Sequence, residues 1–193
     1  NANGTEAYLL GLSNLSDLGD LSNKYMQKFI VSSSDVRLKN LTLGNPHRDY
    51  YNPYWGTSVE GVSPKIDLSG GTYLENFNLQ NCATYKNALD FSACPAIQKI
   101  LLTGSGVNAL TLPVGGMLTE LRIPSSITAL TIDSHEGLTK ENFSMGGYTY
   151  DEADPRIGQG AGSYTNDYSR LTSLKVINTP IDEWSFITFS VPI

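Results

Sequence analysis

The chain has 193 residues, 40% of them hydrophobic and only 17% charged, with 18 glycines, a net charge of -6 and an isoelectric point near 4.8. That length can bury a continuous core in one domain. Low charge with abundant Gly, Ser, Thr and Asn suits many tight turns rather than long helices, which draw on Ala, Glu, Lys and Arg. The acidic balance argues against a nucleic-acid partner, which needs clustered Lys and Arg, and no window approaches the roughly 20 apolar residues of a membrane span.

The first residues, Asn1-Ala2-Asn3-Gly4-Thr5, carry neither the basic nor the apolar region of a signal peptide and no initiating Met. The chain is therefore expected to be a processed product or one segment of something larger. Residues 8–25 have room for a short helical turn, and 1–30 is read as an end cap, with Asp17 and Asp20 as turn or cap residues. From there one pattern recurs, apolar-x-x-apolar-x-apolar followed by a turn. It runs through Leu38-Lys39-Asn40-Leu41-Thr42-Leu43, Leu74-Glu75-Asn76-Phe77-Asn78-Leu79 and Ile97-Gln98-Lys99-Ile100-Leu101-Leu102. Leu118-Thr119-Glu120-Leu121-Arg122-Ile123 and Leu171-Thr172-Ser173-Leu174-Lys175-Val176 complete the strong copies. Intervening copies end on Leu68, Phe91, Leu112 and Ile132.

The spacing carries the inference. From Leu68 through Leu79, Phe91, Leu102, Leu112 and Ile123 to Ile132 the steps are 11, 12, 11, 10, 11 and 9 residues. Two steps make a unit within the roughly 20–29 residues of a leucine-rich repeat. An apolar-x-apolar pair puts both side chains on one face of a strand, and the apolar residue three positions earlier turns in from the preceding bend. One such unit cannot bury its own face, so its neighbours must stack on it. An antiparallel sandwich with turns every 8–12 residues also explains the spacing, but not the shared position ahead of each strand. Pro113, Pro124 and Pro180, with Gly104, Gly106, Gly115 and Gly116, break any long helical reading.

Two stretches depart from the repeat, 44–61 and 144–170. Both are rich in aromatic residues with Gly, Asn and Asp, a composition that suits recognition, because Tyr and Trp offer large rigid contact area and suit protein or glycan surfaces. The candidate binding residues are Tyr50, Tyr51, Tyr54, Trp55, Tyr148, Tyr150, Tyr164 and Tyr168. The same aromatics could instead fold back as a cover over the flank, and the two readings are compatible. Asp151, Glu152 and Asp154 offer oxygen ligands to calcium, although their spacing is not that of an EF-hand and an acidic loop is usually only solvated.

Catalytic patterns are not apparent. His47 and His135 lie in turn regions without a nucleophile elbow or a His-Glu-x-x-His motif around them. Gly104-Ser105-Gly106 lacks the Lys-Ser/Thr of a phosphate loop and reads as a turn. Asp67 and Asp90 sit at matching positions between the two apolar strand residues, the one pairing that resembles the two carboxylates of a glycosidase. The equivalent positions elsewhere, Thr42, Asn78, Leu101, Thr111, Arg122 and Thr131, continue no acidic row. Cys82 and Cys94 each follow a strand by three residues, which assigns both the role of a small buried group at a bend rather than a disulfide or a zinc site. No catalytic residue, metal site or cofactor is expected.

The residues from Leu118 to Ile132, with Ile123-Pro124 at their centre, resemble the BspA-like class of bacterial leucine-rich repeats, and Asn81-Cys82 and Ala93-Cys94-Pro95 are similar to the Cys near the end of its repeat unit. More of the chain, about 8–143 and again from 171, is similar to the leucine-rich-like segment of virion structural proteins from tailed phages of gut bacteria. The elements that carry this run from Leu15-Ser16-Asp17-Leu18 through Leu89-Asp90-Phe91-Ser92-Ala93-Cys94-Pro95 to Leu112-Pro113-Val114-Gly115-Gly116. The resemblance implies a tail or baseplate component of which this chain is a segment, and it carries no catalytic residues.

The expected architecture is mainly β, a leucine-rich-repeat-like right-handed β-solenoid with short strands, a few short helical turns and two long loops. It forms a single domain over 1–193: cap 1–30, stacked units 31–143 with loop 44–61, inserted loop 144–170, and a closing unit or edge 171–193. The expected role is a non-enzymatic structural or binding module of a phage virion, partnered by other virion components, a host surface protein or a glycan. The alternative is a secreted or cell-surface bacterial adhesin.

Overall fold

The computed structural model describes residues 6–9, 17–18, 28–31, 37–43, 65–80, 82, 85–139, 141–145 and 171–181. They form thirteen short strands and, among the described residues, no helix. The first six are β1 (Glu6–Leu9), β2 (Asp17–Leu18), β3 (Lys28–Val31), β4 (Asn40–Thr42), β5 (Lys65–Asp67) and β6 (Asn76–Asn78). Then come β7 (Leu89–Asp90), β8 (Lys99–Leu101), β9 (Leu110–Thr111), β10 (Glu120–Ile123), β11 (Ala129–Asp133), β12 (Phe143–Met145) and β13 (Ser173–Ile177).

Every strand pairing is parallel, and alternate strands go to opposite stacks. The even strands make one unbroken sheet in the order β12-β10-β8-β6-β4-β2. The odd strands make three shorter sheets, β1-β3-β5, β7-β9 and β11-β13. β7 lies beside β5 and β11 beside β9 without joining them in a ladder. The described strands close no barrel.

Parallel strands need a long connection, and here the opposite stack supplies it. The chain advances 23 residues from Asn76 to Lys99 and 21 from Lys99 to Glu120, visiting the odd stack once in each step. From Asn40 to Asn76 the step is 36, and from Ala129 to Ser173 it is 44. The two long steps contain the stretches 44–61 and 144–170.

Register places like residues in columns. Leu41, Phe77, Ile100, Leu121 and Phe143 are consecutive partners in the even sheet and all are buried. The odd stack contributes Phe29 on Ile66 and Leu89 on Leu110. The residues ahead of the even strands, Leu38, Leu74, Ile97 and Leu118, are buried as their spacing predicts. Phe77 meets Phe91 edge to face across the core, with centroids 5.1 Å apart, so the two stacks share one apolar interior.

The backbone repeats as faithfully as the side chains. The carbonyl of Lys39 accepts from the N–H groups of both Glu75 and Asn76, that of Glu75 from Gln98 and Lys99, and that of Gln98 from Thr119 and Glu120. The outward residues pair along the stack as well, Asn76 donating to Asn40, Lys39 meeting Glu75 at 2.7 Å and Lys99 meeting Glu120 at 3.5 Å. At such exposure these ion pairs contribute at most about 1 kcal/mol each.

β1 and β2 fall inside the stretch read as a cap, and both join the ladders, Glu6 opposite Lys28 and Asp17 opposite Asn40. Asp17 is thus a strand residue rather than a turn residue.

Candidate functional site

The odd stack is interrupted between β5 and β7. In the even sheet each strand hydrogen-bonds directly to the next, but here a side chain takes that place. Tyr85, fully buried, donates its hydroxyl to the Ala88 carbonyl at 3.1 Å, at the threshold of β7. The Ile66 backbone of β5 approaches the same hydroxyl and holds the phenol pKa down, as a donor beside a phenol does. Burial outweighs it and pushes that pKa well above the ordinary 10, so the hydroxyl stays protonated as a relay between the two strands.

Outside this wedge lies an open groove of about 630 Å³, within the range of small-ligand clefts. β5 supplies Lys65 and Asp67, the connection supplies Asn87 and Ala88, and β7 with its turn supplies Asp90 and Ser92. Asp90 and Lys65 are exposed, while Asp67 and Asn87 are half-buried. Asp67 accepts from the Ser69 N–H at 3.0 Å and Asp90 from the Ser92 N–H at 2.9 Å. Each carboxylate thereby closes the turn after its strand, as Asn78 does for the Gln80 N–H at 2.9 Å. Turn formation accounts for the residue type, and the shared stack accounts for both acids lining one groove.

Splitting the strands between two stacks also reorders the row read from sequence. Asp67 pairs with Ile30, Asp90 with Thr111 and Thr131 with Lys175, all in the odd stack. Thr42, Asn78, Leu101 and Arg122 belong to the even sheet and never neighbour the two acids in register.

Buried chemistry-bearing groups occupy the bends. Cys82 and Cys94 are both buried thiols with no disulfide between them. Cys94 points at the Leu68 carbonyl, 3.7 Å away, and burial together with the Asp90 charge pushes its pKa up to about 12. A Cβ added to Gly71 would lie 2.8 Å from that sulfur, so the glycine makes room for the cysteine of the next turn. His135 has the same offset after Ile132 that Cys94 has after Phe91 and Gly71 after Leu68. It is fully buried beside Gly116, its backbone N–H donates to Thr179 Oγ1 at 3.2 Å, and among the described residues neither ring nitrogen has a hydrogen-bond partner. Burial lowers its pKa below 6.5, opposed by the nearby Pro113 backbone, which falls short of hydrogen-bond geometry, and by Asp133. Gly104 turns the chain with Thr103, at a φ of 73°, and the Ser105 N–H closes that turn on the Leu102 carbonyl at 2.9 Å.

Tyr50, Tyr51, Tyr54, Trp55, Tyr148, Tyr150, Tyr164 and Tyr168 lie outside the described residues, as do His47, Asp151, Glu152 and Asp154. Sequence reasoning missed Tyr85. Its signal was the 12-residue step from Leu79 to Phe91, the longest of the series, with an aromatic residue midway. Compared with family models, characterised proteins and solved structures, the chain matches none.

Proposed function

We propose that this chain is a non-enzymatic leucine-rich-like β-solenoid, a structural and contact module of a phage particle at its tail or baseplate. The observation that carries the reading is the repeated backbone connection, in which the carbonyls of Lys39, Glu75 and Gln98 each accept two N–H groups from the next strand of the same sheet. A stack held by identical connections is extended by adding units, and its surface is a rigid platform, as assembly and surface contact require. Right-handed winding follows from the strong preference of parallel crossovers.

A catalytic role has less support. A glycosidase acid must stay protonated near neutral pH, which takes burial, and here Asp90 is exposed and Asp67 only half-buried.

Mass spectrometry on the native source tests the proposal by identifying the intact polypeptide and the assembly it purifies with. Recovery among capsid and tail proteins supports the virion role. Recovery in a bacterial envelope fraction overturns it in favour of an adhesin of BspA-like repeats.

A further inference from the structure

We infer that the groove between β5 and β7 binds a short neutral saccharide. The inference rests on the surface-contact reading above and adds a ligand class and a location to it. Three properties of the groove select the ligand. Its volume of about 630 Å³ suits a small molecule rather than a macromolecular surface. Its rim carries acceptors on Asp67 and Asp90, donors on Lys65 and Asn87, and hydroxyls on Ser69 and Ser92, which do both. A sugar hydroxyl also donates and accepts at once, so a ring bearing several of them can engage this mixture. Ala88 and Ala93 add small apolar surface against which the C–H face of a ring can lie.

Charge narrows the choice. Two carboxylates against one ammonium leave the groove mildly negative, which disfavours anionic sugars and phosphates. Calcium takes six to eight oxygen ligands, and among the described residues no third carboxylate, imidazole or thiol joins Asp67 and Asp90 as a cluster. The floor is the fully buried Tyr85, whose hydroxyl donates to the Ala88 carbonyl beside the Ile66 backbone, so its ring is already in place to receive a ligand.

The test uses the full chain, with amide chemical shifts followed by NMR during titration with galactose, mannose, N-acetylglucosamine and their disaccharides. Binding is expected to move the Asn87 side-chain amide and the Ser69 and Ser92 backbone amides together. Asp90→Asn keeps an acceptor for the Ser92 N–H but loses the charge, and it should weaken binding about tenfold, the effect of losing one charge-assisted hydrogen bond. Ala88→Gln, at an exposed position, should fill the groove and abolish binding with the melting temperature unchanged. Absence of shifts with every sugar overturns the inference, as does binding that both variants leave intact, or calcium alone producing the same shifts. Sugar binding by a chain recovered from an envelope fraction would sink the virion reading and keep the groove, whereas recovery from particles with no sugar binding would do the reverse.

Discussion

Changing Tyr85 to Phe tests whether one hydroxyl takes the place of a strand pairing. The ring remains and fills the same core space, so the cavity cost that accompanies Tyr85→Ala, about 3–5 kcal/mol by analogy with other large aromatic truncations, is avoided. What is lost is the bond to the Ala88 carbonyl at 3.1 Å and the polar contact with the Ile66 backbone. A buried polar group left without a partner costs about 1–3 kcal/mol. Ile66 is only 7% exposed and bears that cost, while Ala88 is exposed and its carbonyl regains water. The expected destabilisation is about 2 kcal/mol, or roughly 4–8 °C in melting temperature for a chain of this size. Urea unfolding followed by circular dichroism measures it, with the slope against denaturant unchanged if the native and denatured states stay equally compact. A Tyr85→Phe protein within about 0.5 kcal/mol of the parent would refute the relay and mean that β5 and β7 meet their backbone needs in another way.

Gly71→Ala places a methyl 2.8 Å from the Cys94 sulfur and 3.0 Å from the Leu68 carbonyl, and should cost about 1–3 kcal/mol in chemical unfolding. Adding Cys94→Ala should recover only part of that loss, since the carbonyl stays in place. Both cysteines should resist alkylation in the native state and react rapidly once urea unfolds the chain, because a buried thiol with a pKa near 12, as for Cys94, holds almost no thiolate at neutral pH. His135 makes the fold acid-sensitive. Its native pKa lies below 6.5, so as the pH falls through 6.5 the unfolded chain takes up the proton first and stability declines until the native pKa is passed, whereas above 6.5 its contribution is constant. Melting curves of His135→Leu against the parent between pH 8 and pH 4.5 should therefore diverge only on the acid side, and parallel curves would show that the imidazole titrates normally.

Much of the architecture was legible in the residues themselves, because strand periodicity and burial are local consequences of side-chain chemistry. The apolar-x-apolar pairs of Leu41 and Leu43, Phe77 and Leu79, or Ile100 and Leu102 are buried because alternate strand residues share a face, and Leu38, Leu74, Ile97 and Leu118 because each unit repeats the same bend. The equal offsets of Cys82 and Cys94 likewise announced two buried bend residues. Partner choice was not local. That β4 pairs with β6, and β7 with β9, depends on which strands the chain brings around after a full unit, and this separated Asp67 and Asp90 from the even-sheet residues grouped with them by sequence. The burial of His135 and the wedge of Tyr85 arise in the same way. A side chain's partners belong to the neighbouring turn, residues away in the chain but one strand spacing away in space, so only the stacked structure sets which groups become relays, which become fillers, and which open onto a groove.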